Sequence, residues 1–264
     1  MRGVSAAASA SPAPEDPGDS VQVVTLLGVT FTLASFKQAV GRIVALVRQS
    51  GPTSHVVLAN AHTLNLAADE AGYRRALAQA TLVLRDGVGV ELAARFVGAH
   101  PGHNFVGTDF VPALLHVLAG RAEGVSVYLL GGREGVAREA AEALRRCIRN
   151  LRVAGVEPGY GDLDGAVARV RGAGPDVLLV ALGNPMQEEW IHRHRAELGA
   201  GIAIGVGALF DYLAGRVPRA PRWVLRLRAE WLFRLVVEPR RLWRRYVVGN
   251  PRFLLRVLRN GGRG

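Results

Sequence analysis

The residues of this chain best suited to move a proton or hold a charged ligand stand in short polar runs that follow apolar ones. Asp86 lies in Leu84-Arg85-Asp86-Gly87-Val88-Gly89. A carboxylate held at such a point can act as a general base, a role that contributes about 10²- to 10⁴-fold in rate. The same position also suits the N-cap of a helix beginning at Gly87. Asn60 and His62 follow one apolar run, Asn184 and Gln187 follow a second, and Gly207 and Asp211 follow a third. Asn184, Pro185 and Gln187 also fit a capping box, with Asn at the N-cap, Pro at the first helical position and Gln two places later. The segment Gly131-Gly132-Arg133-Glu134-Gly135 can admit a phosphate or simply turn the chain. It lacks the Gly-x-Gly-x-x-Gly spacing of a dinucleotide site, which disfavours a Rossmann dehydrogenase.

Other chemistries lack their residues. The single cysteine, Cys147, excludes an intramolecular disulfide framework and a cysteine-based zinc site. The seven histidines form no metal constellation: His100 and His103 sit in a Pro-Gly loop, while His192 and His194 point to different sides of a helix. No Walker, His-Glu-x-x-His or Ser-His-Asp pattern is present.

Short β-branched runs at 23–27, 55–59, 81–84, 125–130, 152–156, 176–182 and 202–206 alternate with stretches of helical period at 33–50, 63–79, 87–98, 108–121, 135–149, 163–172 and 185–198. Parallel strands need crossover connections, so this alternation predicts an α/β fold: a Rossmann-like, mainly parallel sheet with helices on both faces. Ligands of such sheets bind outside the carboxyl ends of the strands, where helix N-termini favour anions. Five loops, carrying Asn60, Asp86, Gly131–Gly135, Asn184 with Gln187, and Asp211, are therefore expected to converge on one rim.

Three segments are expected: a disordered leader at 1–20, rich in Ala, Ser and Pro; the α/β core at 21–215; and a basic helical C-terminal appendage at 216–264. The leader has no apolar stretch of the kind a secretory signal requires, so a cytoplasmic protein is expected. Of the 33 basic and 22 acidic residues, 14 arginines and two acids, Glu230 and Glu238, fall after Gly215. The appendage therefore carries +12 and the rest of the chain −1. Its helical segments, near 222–237, 240–248 and 251–259, are interrupted by Pro239 and by Gly249-Asn250-Pro251. Basic helices with tryptophan at the polar boundary suit the headgroup layer of an anionic membrane, where each arginine contributes about 1 kcal/mol. The apolar runs are too short for a span of about 20 residues, so the association would be peripheral. Arginines and aromatics also suit nucleic acid, which leaves an α/β nucleotide-sensing module with a nucleic-acid-binding tail as the alternative, and an ordinary helical cap on the sheet as a third reading. The apolar share of the tail equally suits a homo-oligomer contact.

The runs Leu84–Gly89, Val106-Gly107-Thr108-Asp109, Leu182-Gly183-Asn184-Pro185-Met186-Gln187-Glu188 and Arg219-Ala220-Pro221, with Glu230-Trp231 and Arg234, resemble the WecG/TagA/CpsF family of bacterial glycosyltransferases over about residues 22–258. The resemblance implies transfer of a sugar, N-acetylmannosamine first, from a UDP donor to an undecaprenyl-diphosphate-linked GlcNAc-type acceptor, with inversion, in teichoic acid or other cell-surface polysaccharide synthesis. By the same resemblance Asp86 is the catalytic base, and Asn60 and Gln187 hold substrate; Asn104, Asp109, Asn184 and Asp211 are the further substrate-binding candidates. Arg234, Arg241 and Arg244 face the diphosphates, where arginine donors can stabilise the leaving group in place of a metal. No cofactor, metal or nucleic acid is implied, and the enzyme would work on the inner face of the cell membrane. Leu58 stands where many members have threonine, and Asn104 where an arginine commonly precedes the Val-Gly-Thr-Asp-like motif.

Overall fold

The computed structural model describes residues 21–260. The expected leader at 1–20 lies outside the described residues.

The sheet forms where the sequence concentrates β-branched and aliphatic residues. β3 (Ser54–Ala59), β4 (Leu82–Arg85), β5 (Val125–Gly131), β6 (Leu151–Glu157), β7 (Val177–Ala181) and β8 (Ile202–Gly205) make six strands in the order β4-β3-β8-β7-β5-β6. Every neighbouring pair is parallel. Both faces are covered, as an all-parallel sheet requires. On one face, Leu84, Val127, Leu129, Leu179 and Ile204 pack against α1 (Phe36–Val47), α5 (Gly107–Ala119), α6 (Val136–Cys147) and α9 (Leu209–Leu213). On the other, Tyr128, Leu130, Leu178 and Val180 meet α7 (Leu163–Ala173) and α8 (Met186–His194). Beside them, Val57, Ala59 and Val83 meet α2 (Ala61–Asp69), α3 (Ala71–Ala78) and α4 (Val88–Phe96).

Two differences from the expected elements bear on the site. The helix expected from residue 33 starts at Phe36, because Ser35 and Gln38 form a reciprocal capping box: the Gln38 N–H donates to Ser35 Oγ at 3.2 Å and the Ser35 N–H to Gln38 Oε1 at 2.9 Å. The residues before it are freed to form an antiparallel hairpin of β1 (Gln22–Leu26) and β2 (Val29–Leu33). Its turn puts Leu27 and Gly28 at φ +51° and +79°.

The second difference lies in the tail. The expected 222–237 helix is two, α10 (Arg222–Arg226) and α11 (Glu230–Val237), while the expected break at Gly249-Asn250-Pro251 is absent. Instead α12 (Pro239–Trp243), a π-helical turn (Arg244–Val248) and α13 (Gly249–Asn260) run on continuously. The Gly249 N–H reaches the Arg244 carbonyl, five residues back, so the chain has left α register just before Pro251, which has no N–H to give. α13 then buries Phe253 and Val257 in the same cluster as Val57, Leu64, Tyr73 and Val90. A Cβ on Gly89 would lie 3.2 Å from Ala61 Cβ and 3.7 Å from the Phe253 ring, so a side chain there would crowd this contact. Polar contacts complete the anchor. Asn65 Nδ2 donates to the Gly249 carbonyl at 2.7 Å, Arg256 donates to the Asn65 carbonyl at 2.9 Å, and both Arg252 and Arg256 pair with Asp69.

Candidate active site

The carboxyl ends of β3, β4, β5, β7 and β8 open into one cleft of about 1430 Å³, so all five loops reach the same mouth. The tail closes over it from the opposite side. Asn60, Asp86, Asn184, Gln187, Asp211, Arg234, Arg241 and Arg244 all line the cleft; Asn104 and Asp109 are not among the lining residues.

Asp86 directly follows β4 and is half-buried. It does not cap α4: that helix starts at Val88 after Gly87, whose φ of +91° and ψ of 166° only glycine adopts readily, and no side chain caps it. The carboxylate is instead held from β3. Its backbone N–H donates to the Ala59 carbonyl at 2.8 Å, and Asn60 Nδ2 reaches its Oδ2 at 3.4 Å. Asn60 is fixed in turn, because its Oδ1 caps α2 by accepting from the His62 and Thr63 N–H groups at 3.0 and 3.2 Å. Burial pushes the Asp86 carboxyl above its ordinary value, against the opposing pull of the Asn60 amide and the Arg245, Arg234 and Arg85 charges. The result is a carboxylate with raised proton affinity at the mouth. Beside it, burial and then Arg245 lower His62 to about 4, which keeps its imidazole neutral at neutral pH.

The cations facing Asp86 come from the tail. Arg234, on α11, lies over the Tyr212 ring at 5.5 Å, and its buried Nε has no hydrogen-bond partner among the described residues. Arg245, in the π turn, is half-buried over Tyr246 at 5.5 Å, and desolvation lowers its pKa, which raises its demand for an anionic partner. Arg241 pairs with Glu238 at 2.7 Å, and Arg244 stacks on Trp243 at 5.4 Å. The residue sequence reasoning missed is Arg245. The run Arg240-Arg241-Leu242-Trp243-Arg244-Arg245 holds the signal, but only the π register decides which side chain turns inward.

The floor of the cleft is a hydrogen-bonded network. Gln187 does not close a capping box: α8 starts at Met186, Pro185 precedes it, and no side chain caps it. Gln187 Oε1 accepts from the Gly183 and Gly207 N–H groups at 3.2 and 3.0 Å, tying the β7 loop to the β8 loop. Its Nε2 donates to Glu188 Oε1 at 2.6 Å, which also accepts from Asn184 Nδ2 at 2.8 Å. The Tyr73 hydroxyl donates to Glu188 Oε2 at 3.1 Å. Burial raises the Glu188 carboxyl to about 7 despite these donors. Gln187 and Glu188 are both buried, so they shape the mouth from beneath it.

Asn104 Oδ1 accepts from the Gly87 N–H at 2.7 Å and from Arg85 at 3.3 Å, which clamps the loop after Asp86. Asp109 pairs with Arg219 at the base of the tail. Asp211 lines the cleft, and its backbone carbonyl accepts from the Arg216 and Val217 N–H groups. The run Asp162-Leu163-Asp164 has the Asp-x-Asp form of a metal-binding motif. It starts α7 away from the cleft, where Asp162 caps the Gly165 N–H and pairs with Arg169. Among the described residues, no group of three or more His, Cys, Asp or Glu can hold a metal ion, and no helix is long and apolar enough to cross a membrane.

The model of the Glycosyl transferase WecG/TagA/CpsF family matches residues 24–264. A Bacillus subtilis (strain 168) protein named N-acetylglucosaminyldiphosphoundecaprenol N-acetyl-beta-D-mannosaminyltransferase is 32% identical over 188 residues, which is 71% of this chain and 72% of that protein. A Staphylococcus aureus (strain NCTC 8325 / PS 47) protein of the same name is 30% identical over 224 residues, covering 84% of this chain and 87% of its own.

Proposed function

Given that the chain belongs to the WecG/TagA/CpsF glycosyltransferase family, we propose that it transfers N-acetylmannosamine from a UDP donor to GlcNAc-diphosphoundecaprenol, with inversion at the anomeric carbon. The names of its relatives support this sugar and acceptor. The observation that carries the chemistry is Asp86, a carboxylate of raised proton affinity held between the Asn60 amide and the Arg234 and Arg245 guanidiniums.

In this reading an acceptor hydroxyl attacks the anomeric carbon, its proton passes to Asp86, and the bond from that carbon to the UDP oxygen breaks. Negative charge grows on the departing diphosphate. Arg234, whose buried Nε has no partner among the described residues, and Arg245, half-buried and facing Asp86, supply preorganised donors for that charge, and Arg241 and Arg244 extend them along the cleft. Asn60 orients the base, and Asn184 and Asp211 offer polar atoms to the sugars.

The tail brings the mouth to the acceptor. Trp223, Leu227, Trp231, Leu232 and Val236 are exposed on α10, α11 and the turn between them, among arginines. That surface suits the headgroup layer of an anionic membrane, to which a polyprenyl tail confines the acceptor's diphosphate.

The test is product formation with a panel of UDP-sugars and a short-chain prenyl-diphosphate GlcNAc acceptor. UDP-N-acetylmannosamine should be the preferred donor. Asp86→Asn should lower kcat by about 10²- to 10⁴-fold with donor binding nearly unchanged. Wild-type kcat should also fall as the pH drops through the raised Asp86 pKa, since the base must be ionised to accept the proton. A normal rate in Asp86→Asn removes Asp86 as the base.

A further inference from the structure

Behind Asp86, on the side away from the cleft, an ion-pair cluster joins the tail to the loop that carries the carboxylate. At its centre is Glu91, in the first turn of α4 and 5% exposed. Its carboxylate takes Arg85 at 3.3 Å, Arg95 at 3.0 Å and Arg228 at 2.9 and 3.1 Å to its two oxygens. Burial pushes the Glu91 carboxyl up, but the Arg228 hydrogen bonds and the three arginine charges more than offset it, so the group is ionised at neutral pH. Arg85 is buried and spends its other donors on the loop around Asp86: Nε on the Pro101 carbonyl at 2.7 Å, Nη2 on the Gly102 carbonyl at 3.0 Å, and Nη1 on Asn104 Oδ1 at 3.3 Å. Asn104 Oδ1 holds the N–H of Gly87, the residue next to Asp86. An unbroken series of contacts therefore runs from Arg228 through Glu91, Arg85 and Asn104 to the backbone beside the base.

The backbone at Arg228 gives independent support. α10 ends in a Schellman motif: the Arg228 N–H returns to the Leu225 carbonyl at 3.0 Å and the Ala229 N–H to the Val224 carbonyl at 3.1 Å. The residue at this position must be left-handed, and Arg228 has φ +56°. Glycine meets that demand without strain. An arginine held there, more than half exposed, is explained by what its guanidinium reaches.

We propose that Glu91 is a positioning residue that couples docking of the tail to the catalytic loop, with Arg228 as the tail's contribution. The proposal rests on the reading of Asp86 as the base. With Arg228 on Glu91, Arg85 and the loop it holds are locked while the tail arginines stand over the mouth. Without it, the Asp86 loop loses that lock even though Arg234 and Arg245 are unchanged.

The experiment compares full-length Arg228→Gly, Arg95→Ala, Glu91→Gln and the Arg228→Gly/Glu91→Gln pair by kcat, donor KM and melting temperature. Arg228→Gly relieves the left-handed strain, so its melting temperature should equal or exceed the wild type while kcat falls about tenfold and donor KM stays within about twofold. A merely structural contact would show the opposite split, a lower melting point with kcat per folded molecule preserved. Arg95→Ala removes a charge from the same carboxylate without touching the tail, and kcat should stay within about twofold. Adding Arg228→Gly to Glu91→Gln should cost no more than about twofold further, because the coupling is already gone. Wild-type kcat in Arg228→Gly, or an equal loss in Arg95→Ala, overturns the coupling and leaves Asp86 standing. Wild-type kcat in Asp86→Asn overturns the base and the coupling with it.

Discussion

Residues 222–243 and 249–260 are written in nearly the same alphabet, arginine alternating with large apolar side chains, yet they do different things. The later stretch seats Phe253 and Val257 in the core and pairs Arg252 and Arg256 with Asp69. The earlier one leaves Trp223, Leu227, Trp231, Leu232, Val236 and Trp243 exposed and, among its described side chains, buries only Val224 and Leu242 beneath it. Among the described residues Arg234, Arg244 and Arg245 pair with no carboxylate. The difference lies in what the core presents opposite each stretch. α2 and α4 offer an apolar seat and Asp69 to the later stretch, whereas the earlier one faces the open cleft and Asp86. Composition sees one basic tail; complementarity makes it an anchor and a cover.

Four substitutions sharpen or break that division. Phe253→Ala should give the largest effect, a loss of about 3–5 kcal/mol in unfolding free energy by urea titration, with kcat per folded molecule little changed. A loss below about 1 kcal/mol would deny the anchor. Cutting the chain after Gly215 should for the same reason destabilise the core as well as silence it. Next, Arg234→Ala should cost about 10²- to 10³-fold in kcat with the melting temperature within about a degree; equal losses of stability and rate would make the cover a second anchor.

The third concerns the floor under the cover. Glu188 has a folded pKa of about 7 against 4.5 for the free group. The folded state therefore holds the proton more tightly, and its contribution to stability is complete below pH 4.5 and lost as the pH rises to 7. In Glu188→Gln, the fall in stability between pH 5 and pH 8 should be smaller than in the wild type by up to about 3 kcal/mol. The smallest effect is expected at the cover's outer surface. Trp223→Ala, at a side chain that is exposed and does not line the cleft, should weaken binding to phosphatidylglycerol vesicles about tenfold and leave turnover of a short-chain, water-soluble acceptor unaltered. Unchanged vesicle binding would move the membrane contact elsewhere.

Much of the core was legible because parallel strands buried on both faces must be continuously apolar, and Asp86 because it stands where such a strand ends. The hairpin was not. Val29–Leu33 alternates buried and exposed positions, but its turn lacks an Asn-Gly signal, and the capping box that ends it lies in side chains that read equally well inside a helix. The Asn184–Gln187 box looked correct by spacing, yet the Gly207 loop competes for Gln187 and wins, a contact 20 residues away that no local pattern reveals. Arg245 escaped because a single π turn shifts which arginine faces inward. Glu91 and Glu188 escaped because a buried carboxylate is recognisable only from its partners.

The unbroken rod from Pro239 to Asn260 has a mechanical consequence. Spanning about 30 Å at the usual rise per residue and riveted at one end to α2, it projects its arginine-bearing half over the mouth as a cantilever. With the beam anchored, swinging α10 and α11 to widen the doorway would use the non-helical stretches at 214–221 and 227–229 and the single non-helical residue Glu238 between α11 and α12. Cross-linking across those joints, rather than along the beam, is where substrate entry would be jammed.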